Sequence, residues 1–183
     1  CHAGHQHQLT AQDVDVVVQL ARAVAVAGDG EEEREHVAEV AHDHRLRRAT
    51  PEACAHAVLG VTAACDVTAR DLQKRDPTFA RAKSFDTFCP LGPAVLVEAP
   101  LGDLAVETRI NGETRQRGHV SEMIWGIVDL LVYASRMMTL EPGDVVLTGT
   151  PAGVGALADG DRIEVEVAGV GILEAPVESW RES

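Results

Sequence analysis

The dipeptide Asn111-Gly112 constrains this chain more than any other short stretch, because it separates two polar-apolar runs, Asp103 to Ile110 and Glu113 to Gln116. Asn and Gly tolerate the positive φ angles of a tight primed turn, whose twist matches that of paired strands, so the spacing predicts a β-hairpin. A hairpin needs a sheet to join, and the surrounding text supplies strands. The apolar VTAAC after Gly60, Pro93 to Val97 closed by Pro100, and Asp144 to Thr148 after Pro142-Gly143 read as further strands. Arg162 to Val167, Gly169 and Gly171 to Leu173 predict a closing hairpin. Helices are fewer. Thr50, Pro51 and Glu52 resemble the cap and first turn of a short helix through Ala53 to Val58. Met123, Ile127, Leu130, Leu131, Ala134 and Met138 recur at helical spacing, with Ser121 expected as N-cap. Strands outnumber helices and alternate with them irregularly, which predicts an α+β domain rather than a doubly wound sheet.

The 183 residues suffice for one domain or a domain with an arm, and an apolar fraction of 45% is enough for a core. Against 16 basic side chains stand 29 acidic ones, a formal net charge of -13. That balance argues against a general grip on nucleic acid or an anionic membrane and favours a small molecule or a protein as partner. Cys1, Cys54, Cys65 and Cys89 are far apart, with no C-x-x-C pair, and are expected as reduced thiols in a cytoplasmic protein. No apolar run approaches the roughly 20 residues of a membrane helix, and the start lacks a signal-peptide profile.

Before Arg45 the text is less decisive. Leu9 to about Ala27 admits a helix, or a strand followed by a helix, and its period does not choose. The acidic GDGEEEREH that follows reads as a turn and a solvated surface. His2, His5, His7, His36, His42 and His44 bring metal-binding chemistry to mind, but polar, unpatterned termini are ordinarily solvated rather than ligating.

CDVTARDLQ, Cys65 to Gln73, places Asp66 just after the VTAAC strand, with Arg70 and Gln73 four and seven residues further on. On a helical turn the three share a face, where a carboxylate, a guanidinium and an amide suit a hard metal and a carboxylate-bearing substrate. The plainer alternative is that Asp66 caps a helix and pairs with Arg70 at the surface. GTPAGVG is Gly-rich but lacks the Gly-Lys-Ser/Thr ending of a nucleotide loop, so a sharp turn between strands is expected there.

Three strings in this order, CDVTARDLQ, AKSFDTFCPLGP and LEPGDVVLTGTPAGVG, together with NGETRQRGHVSEMI and GDRIEVEVAGVG, resemble the fumarylacetoacetate hydrolase superfamily from about Arg45 to the end. The resemblance is to the C-terminal catalytic domain type, acylpyruvase-like or hydroxymuconate-isomerase-like. It implies a strand-rich α+β fold, a mixed β-sheet roll with few helices. Residues 45–183 would form the catalytic domain, and 1–44 a divergent or incomplete N-terminal segment. It also implies a homodimer and a divalent cation, Mg2+ or Mn2+. Asp66 would be a metal ligand, Arg70 and Lys83 catalytic and substrate-facing, and Gln73 and Thr150 substrate-binding, Thr150 through the substrate carboxylate. The chemistry agrees: such ions prefer oxygen ligands, a 2-oxo acid chelates them, and a lysine stabilises enolate charge.

The family's other metal ligands are two glutamates written E-x-E on a strand. In EEEREHVAEVAHDH an ungapped match gives Glu35 and Val37, whereas a two-residue insertion gives Glu33 and Glu35, the preferred pair, with Glu39 as a substitute. Cys65 and His119 stand where the family commonly has asparagine. The N-terminal Asn-Tyr-x-x-His-type sequence, which brings a catalytic His and Glu, has no counterpart in CHAGHQHQL. The expected function is therefore a metal-dependent hydrolase, isomerase (tautomerase) or decarboxylase of small 2-oxo or 2,4-dioxo acids. The competing expectation is a non-catalytic protein of the same fold, kept for binding or oligomerisation. Poor water activation favours decarboxylation or tautomerisation over C–C hydrolysis.

Overall fold

The computed structural model describes residues 14–23, as a strand, and residues 45–179. The segment whose period left helix and strand open is strand β1, Val14–Ala23. Its VDVVV start is β-branched, which favours a pleated surface over a helix. Strand β2, Gly60–Ala69, accepts it as an antiparallel neighbour from Val14↔Ala69 to Ala21↔Thr62. On the other edge of β2 runs β3, Leu91–Val97. Two short strands, β6 (Val145–Leu147) and β7 (Gly155–Ala156), both pair with β1.

The predicted hairpin is present: β4, Ala105–Ile110, turns back through Asn111 and Gly112, at φ 53° and 82°, into β5, Glu113–His119. Positive φ at both positions is what selects Asn and Gly there. The closing hairpin is β8, Arg162–Val167, with β9, Gly171–Pro176, and the second sheet runs β5-β4-β8-β9. The α+β, strand-rich expectation holds. Every strand pair described is antiparallel, so the parallel pairings of a mixed roll are not among the described residues.

Burial explains why β2 does not alternate in sequence: all ten of its residues are buried. Val61, Ala63, Cys65 and Val67 enter the main core with Val106, Ile163, Val165, Val167 and Leu173 of the second sheet. Period two puts Thr62, Ala64, Asp66 and Thr68 on the opposite face. A smaller core joins helix α1, Pro51–His56, to the later helix, through Cys54, Ala57, Leu46, Leu131 and Leu140. As predicted, Thr50 caps α1, its hydroxyl accepting from the Ala53 N–H at 3.3 Å.

Two local expectations are corrected. Asp66 lies inside β2, not on a helix, because the strand runs on to Ala69 before helix α2, Arg70–Arg75, begins. Ser121 does not cap the long helix. It lies in a 3-10 turn, Val120–Glu122, capped by His119, and Met123 is extended at ψ 137°. After a short α-helix, α3 (Ala80–Lys83), and strands β3 to β5, the long helix α4 spans Ile127–Met137 and starts from Gly126, whose N–H donates to Asp129 Oδ2 at 3.1 Å. The earlier apolar residue, Met123, belongs to the periodic pattern but packs against the main core from outside the helix.

Candidate active site

Asp66 and Thr68 are neighbours along one face of β2, and both are buried. Lys83 reaches that face from α3. Ala82, beside it, is fully buried against Ala69, Leu72 and the partly buried Phe88, and Arg81 holds both Asp76 carboxylate oxygens at 2.8 and 2.9 Å. These two fastenings fix α3 under the end of β2, so Lys83 is directed back along the strand. Its ammonium forms an ion pair with Asp66 and donates to Thr68 Oγ1 at 3.1 Å. The lysine side chain keeps 27% of its exposure against 5% for Asp66, so a buried charge is offset by a cation that still meets the surface. Sequence reasoning missed Thr68. The signal was period two from Asp66, hidden by reading a helix where the strand continues.

Arg70 and Gln73 meet each other just past β2: Arg70 Nη1 donates to Gln73 Oε1 at 2.6 Å. Asp66 neither caps α2, whose N-cap is Ala69, nor lies on its face. Cys65, on the core face, has its thiol pushed up to about 12 by burial and then by the charge of Asp66. At neutral pH it is a protonated, inert thiol rather than a nucleophile.

Thr150 belongs to a different part of the site. β6 leaves β1 after Ala21 and β7 rejoins it at Val16, so the loop between them spans β1 positions Val17 to Leu20. On its other edge β1 presents those positions to Asp66 through Ala63 of β2. With strands spaced about 4.8 Å apart, the loop lies on the order of 10 Å from β2 in the sheet direction. Thr148 to Pro151 line a cleft of about 350 Å³ together with Gly118, His119, Glu122 and Trp125. His119 is occupied on both ring nitrogens: Nδ1 accepts from the Ser121 N–H at 3.2 Å, which leaves Nε2 as the donor to Asp103 Oδ1 at 3.1 Å. Its role is to hold the 3-10 turn at the cleft's edge.

A hard cation needs several oxygen ligands. Asp66 supplies one buried carboxylate, but its ladder partner on β1 is Val17, and on the other edge Pro90 and Phe88 carbonyls take the Cys65 and Val67 N–H groups at 3.1 and 2.9 Å. Both edges of β2 at Asp66 are therefore filled. Among the described residues no three His, Cys, Asp or Glu side chains converge. Asp66 fits one ligand position, and the rest of a set would come from elsewhere. Glu33, Glu35 and Glu39, and the histidines at 2, 5, 7, 36, 42 and 44, lie outside the described residues, as does Cys1.

Two packed antiparallel sheets thus carry a buried Asp66 on β2, paired with Lys83 of α3, and a Gly-Thr-Pro turn beside the neighbouring strand β1. The sequence profile described as fumarylacetoacetate (FAA) hydrolase C-terminal matches residues 6–178, and the chain belongs to that family. A 5-carboxymethyl-2-hydroxymuconate delta-isomerase from Mycobacterium smegmatis superposes with a TM-score of 0.81 at 35% identity, over 95% of this chain and 62% of that one. A fumarylpyruvate hydrolase from Pseudomonas aeruginosa, in complex with Mn2+ and pyruvate, superposes with a TM-score of 0.76 at 26% identity, over 98% and 70%. The oxaloacetate tautomerase YisK of Bacillus subtilis is 45% identical over 126 residues, 63% of this chain and 42% of that protein. This chain spans about half the length of the curated relatives it matches. No helix among the described residues is long and apolar enough to cross a membrane.

Proposed function

We propose that this chain acts on small 2-oxo or 2,4-dioxo acids and favours enol-keto tautomerisation, with oxaloacetate-like diacids as substrates, over C–C hydrolysis. The observation that carries this reading is Lys83, a half-buried ammonium fastened by α3 against Asp66 and Thr68. A fixed cation beside a low-dielectric surface stabilises the oxygen charge that develops when a proton leaves the carbon next to a keto group. Relatives named as oxaloacetate tautomerases, in Bacillus subtilis and Homo sapiens, support the choice of substrate.

In this reading the substrate carboxylate meets the Thr150 hydroxyl, and the second carboxylate meets Arg70, which Gln73 orients through its 2.6 Å hydrogen bond. A guanidinium suits a carboxylate because it offers paired N–H donors in one plane. Lys83 faces the keto oxygen. Tautomerisation moves one proton between carbon and that oxygen, and no group leaves, so the site needs positioning and charge stabilisation rather than an activated water. A divalent ion, Mg2+ or Mn2+, would be held by Asp66 together with Glu33 and Glu35; when bound it polarises the keto oxygen. Apart from the two glutamates, these roles lie in the proposed catalytic part, residues 45–183, with β1 as its structural neighbour.

The test compares enol-oxaloacetate ketonisation, oxaloacetate decarboxylation and acylpyruvate cleavage, with Mg2+ or Mn2+ present, for the wild type and Lys83→Ala. Ketonisation is expected to be fastest and to fall about 10²–10³-fold in Lys83→Ala, the scale of removing one charge-stabilising group. Faster acylpyruvate cleavage, or ketonisation indifferent to Lys83, would overturn the proposal.

A further inference from the structure

Gln116 is a side chain that the hairpin alternation places inward and that no sequence motif singled out. It is 2% exposed, and it lies in the row Gln116–Thr108–Val165–Leu173 that crosses the second sheet on the face toward the first. A buried primary amide must satisfy its polar atoms. Gln116 does so on the loop that carries Thr150: its Nε2 lies 2.9 Å from Thr150 Oγ1 and 2.8 Å from the Pro151 carbonyl oxygen. The same loop is fastened to β5 a second time, at Gly153, where φ is 105° and a Cβ would stand 2.0 Å from the Arg115 carbonyl oxygen.

The chemistry of these partners assigns every hydrogen. A proline carbonyl oxygen only accepts, so the amide must turn its NH2 group, not its oxygen, toward Pro151. The NH2 group has two hydrogens, and with one on Pro151 the other points at Thr150 Oγ1. The threonine oxygen is then an acceptor toward Gln116, and its own single hydrogen is left for a group on the other side. Its contact with the Pro151 oxygen, at 3.5 Å, is too long to compete.

From this geometry we infer that Gln116 is a positioning residue that sets the polarity of the Thr150 hydroxyl, committing it to donate to an acceptor-only anion such as a carboxylate. The inference rests on the reading that Thr150 meets the substrate carboxylate. It adds that selection of an anion at this turn is written on the opposite sheet, in a residue that never touches substrate.

Inhibition by pyruvate, a minimal 2-oxo acid probe, is measured for the wild type, Gln116→Glu, Gln116→Met, Thr150→Val and the double variant Gln116→Met/Thr150→Val, with KM and kcat for ketonisation beside it. Glutamate keeps the shape and reverses the polarity, because an ionised carboxylate accepts the threonine hydrogen. Gln116→Glu is expected to raise the pyruvate inhibition constant and KM at least 20-fold with kcat within threefold. On the Thr150→Val background, Gln116→Met is expected to change the inhibition constant less than twofold. Multiplying effects in the double variant, or wild-type pyruvate binding in Gln116→Glu, would overturn the inference. If Thr150→Val alone binds pyruvate normally, the reading of Thr150 fails instead, and the two failures are thereby separate. Should the Gln116 variants unfold, the side-chain amide signals of Gln116 decide the matter by NMR. Pyruvate is expected to shift them in the wild type and not in Thr150→Val, and no shift in the wild type overturns the inference.

Discussion

Asp66 carries most of the site's consequences at the scale of single residues. It is a buried carboxylate whose described counter-charge is Lys83, and Lys83 is itself held by Thr68. Removing the carboxylate leaves a half-buried ammonium facing a hydroxyl and an apolar strand. Asp66→Ala is therefore expected to lower stability on the order of 3 kcal/mol, measured by urea unfolding. The same variant tests the proposed metal. A cation bound only to the native state adds about 2.7 kcal/mol at one hundred times its Kd, and this increment is expected to vanish in Asp66→Ala. Equal stabilisation by Mg2+ or Mn2+ in wild type and variant would remove Asp66 from the ligand set.

Among the elements, the β4–β5 hairpin is the one whose turn does two jobs. Asn111 takes a left-handed φ, and its side chain also bridges to the start of β8: Nδ2 donates to Asp161 Oδ1 at 2.8 Å, and Oδ1 accepts from the Arg162 N–H at 2.9 Å. Backbone and side-chain contributions can be separated by substitution. Asn111→Gly keeps the φ and loses the bridge, with an expected cost of about 1 kcal/mol. Gly112→Val forces a β-branched residue to φ 82° and is expected to cost about 2 kcal/mol or more. Chemical denaturation of both variants checks this. A Gly112→Val protein as stable as Asn111→Gly would mean that the turn is not under the strain its angles require.

For the molecule as a whole, the outer surface bears apolar residues that the two cores do not use. Ile124 is 93% exposed, Trp125 66%, and Tyr133 and Met137, one turn apart on α4, are 64% and 60% exposed. Large exposed apolar groups that cluster are characteristic of surfaces covered by a partner. A second copy of the chain is the proposed occupant, since a symmetric pair covers the same patch on both subunits. Sedimentation at micromolar concentration is expected to give twice the chain mass of 19.5 kDa, and Trp125→Asp to shift it toward the monomer. A wild-type monomer under those conditions would count against the dimer.

Local chemistry was enough for the sequence to announce the hairpin at Asn111-Gly112, the Thr50 cap and the α+β character. A positive φ, a capping hydroxyl and a run of short Gly- and Pro-bounded strands each depend on a few neighbouring residues. The strings around Asp66, Lys83 and Thr150 were likewise legible as a family pattern. Tertiary structure alone decided the rest. β1 became a strand because the edge of β2 needed a partner for its backbone groups. Asp66 stayed in the strand because β1 pairs with it on one side and the Pro90 and Phe88 carbonyls hold Cys65 and Val67 on the other, and Ser121 lost the helix to Gly126, whose N–H found the Asp129 carboxylate. Gln116 reached Thr150 only because two sheets face each other, so residues 34 apart in sequence meet at 2.9 Å. Periodicity records which face a residue presents, while the partner on that face is set by how distant strands pack.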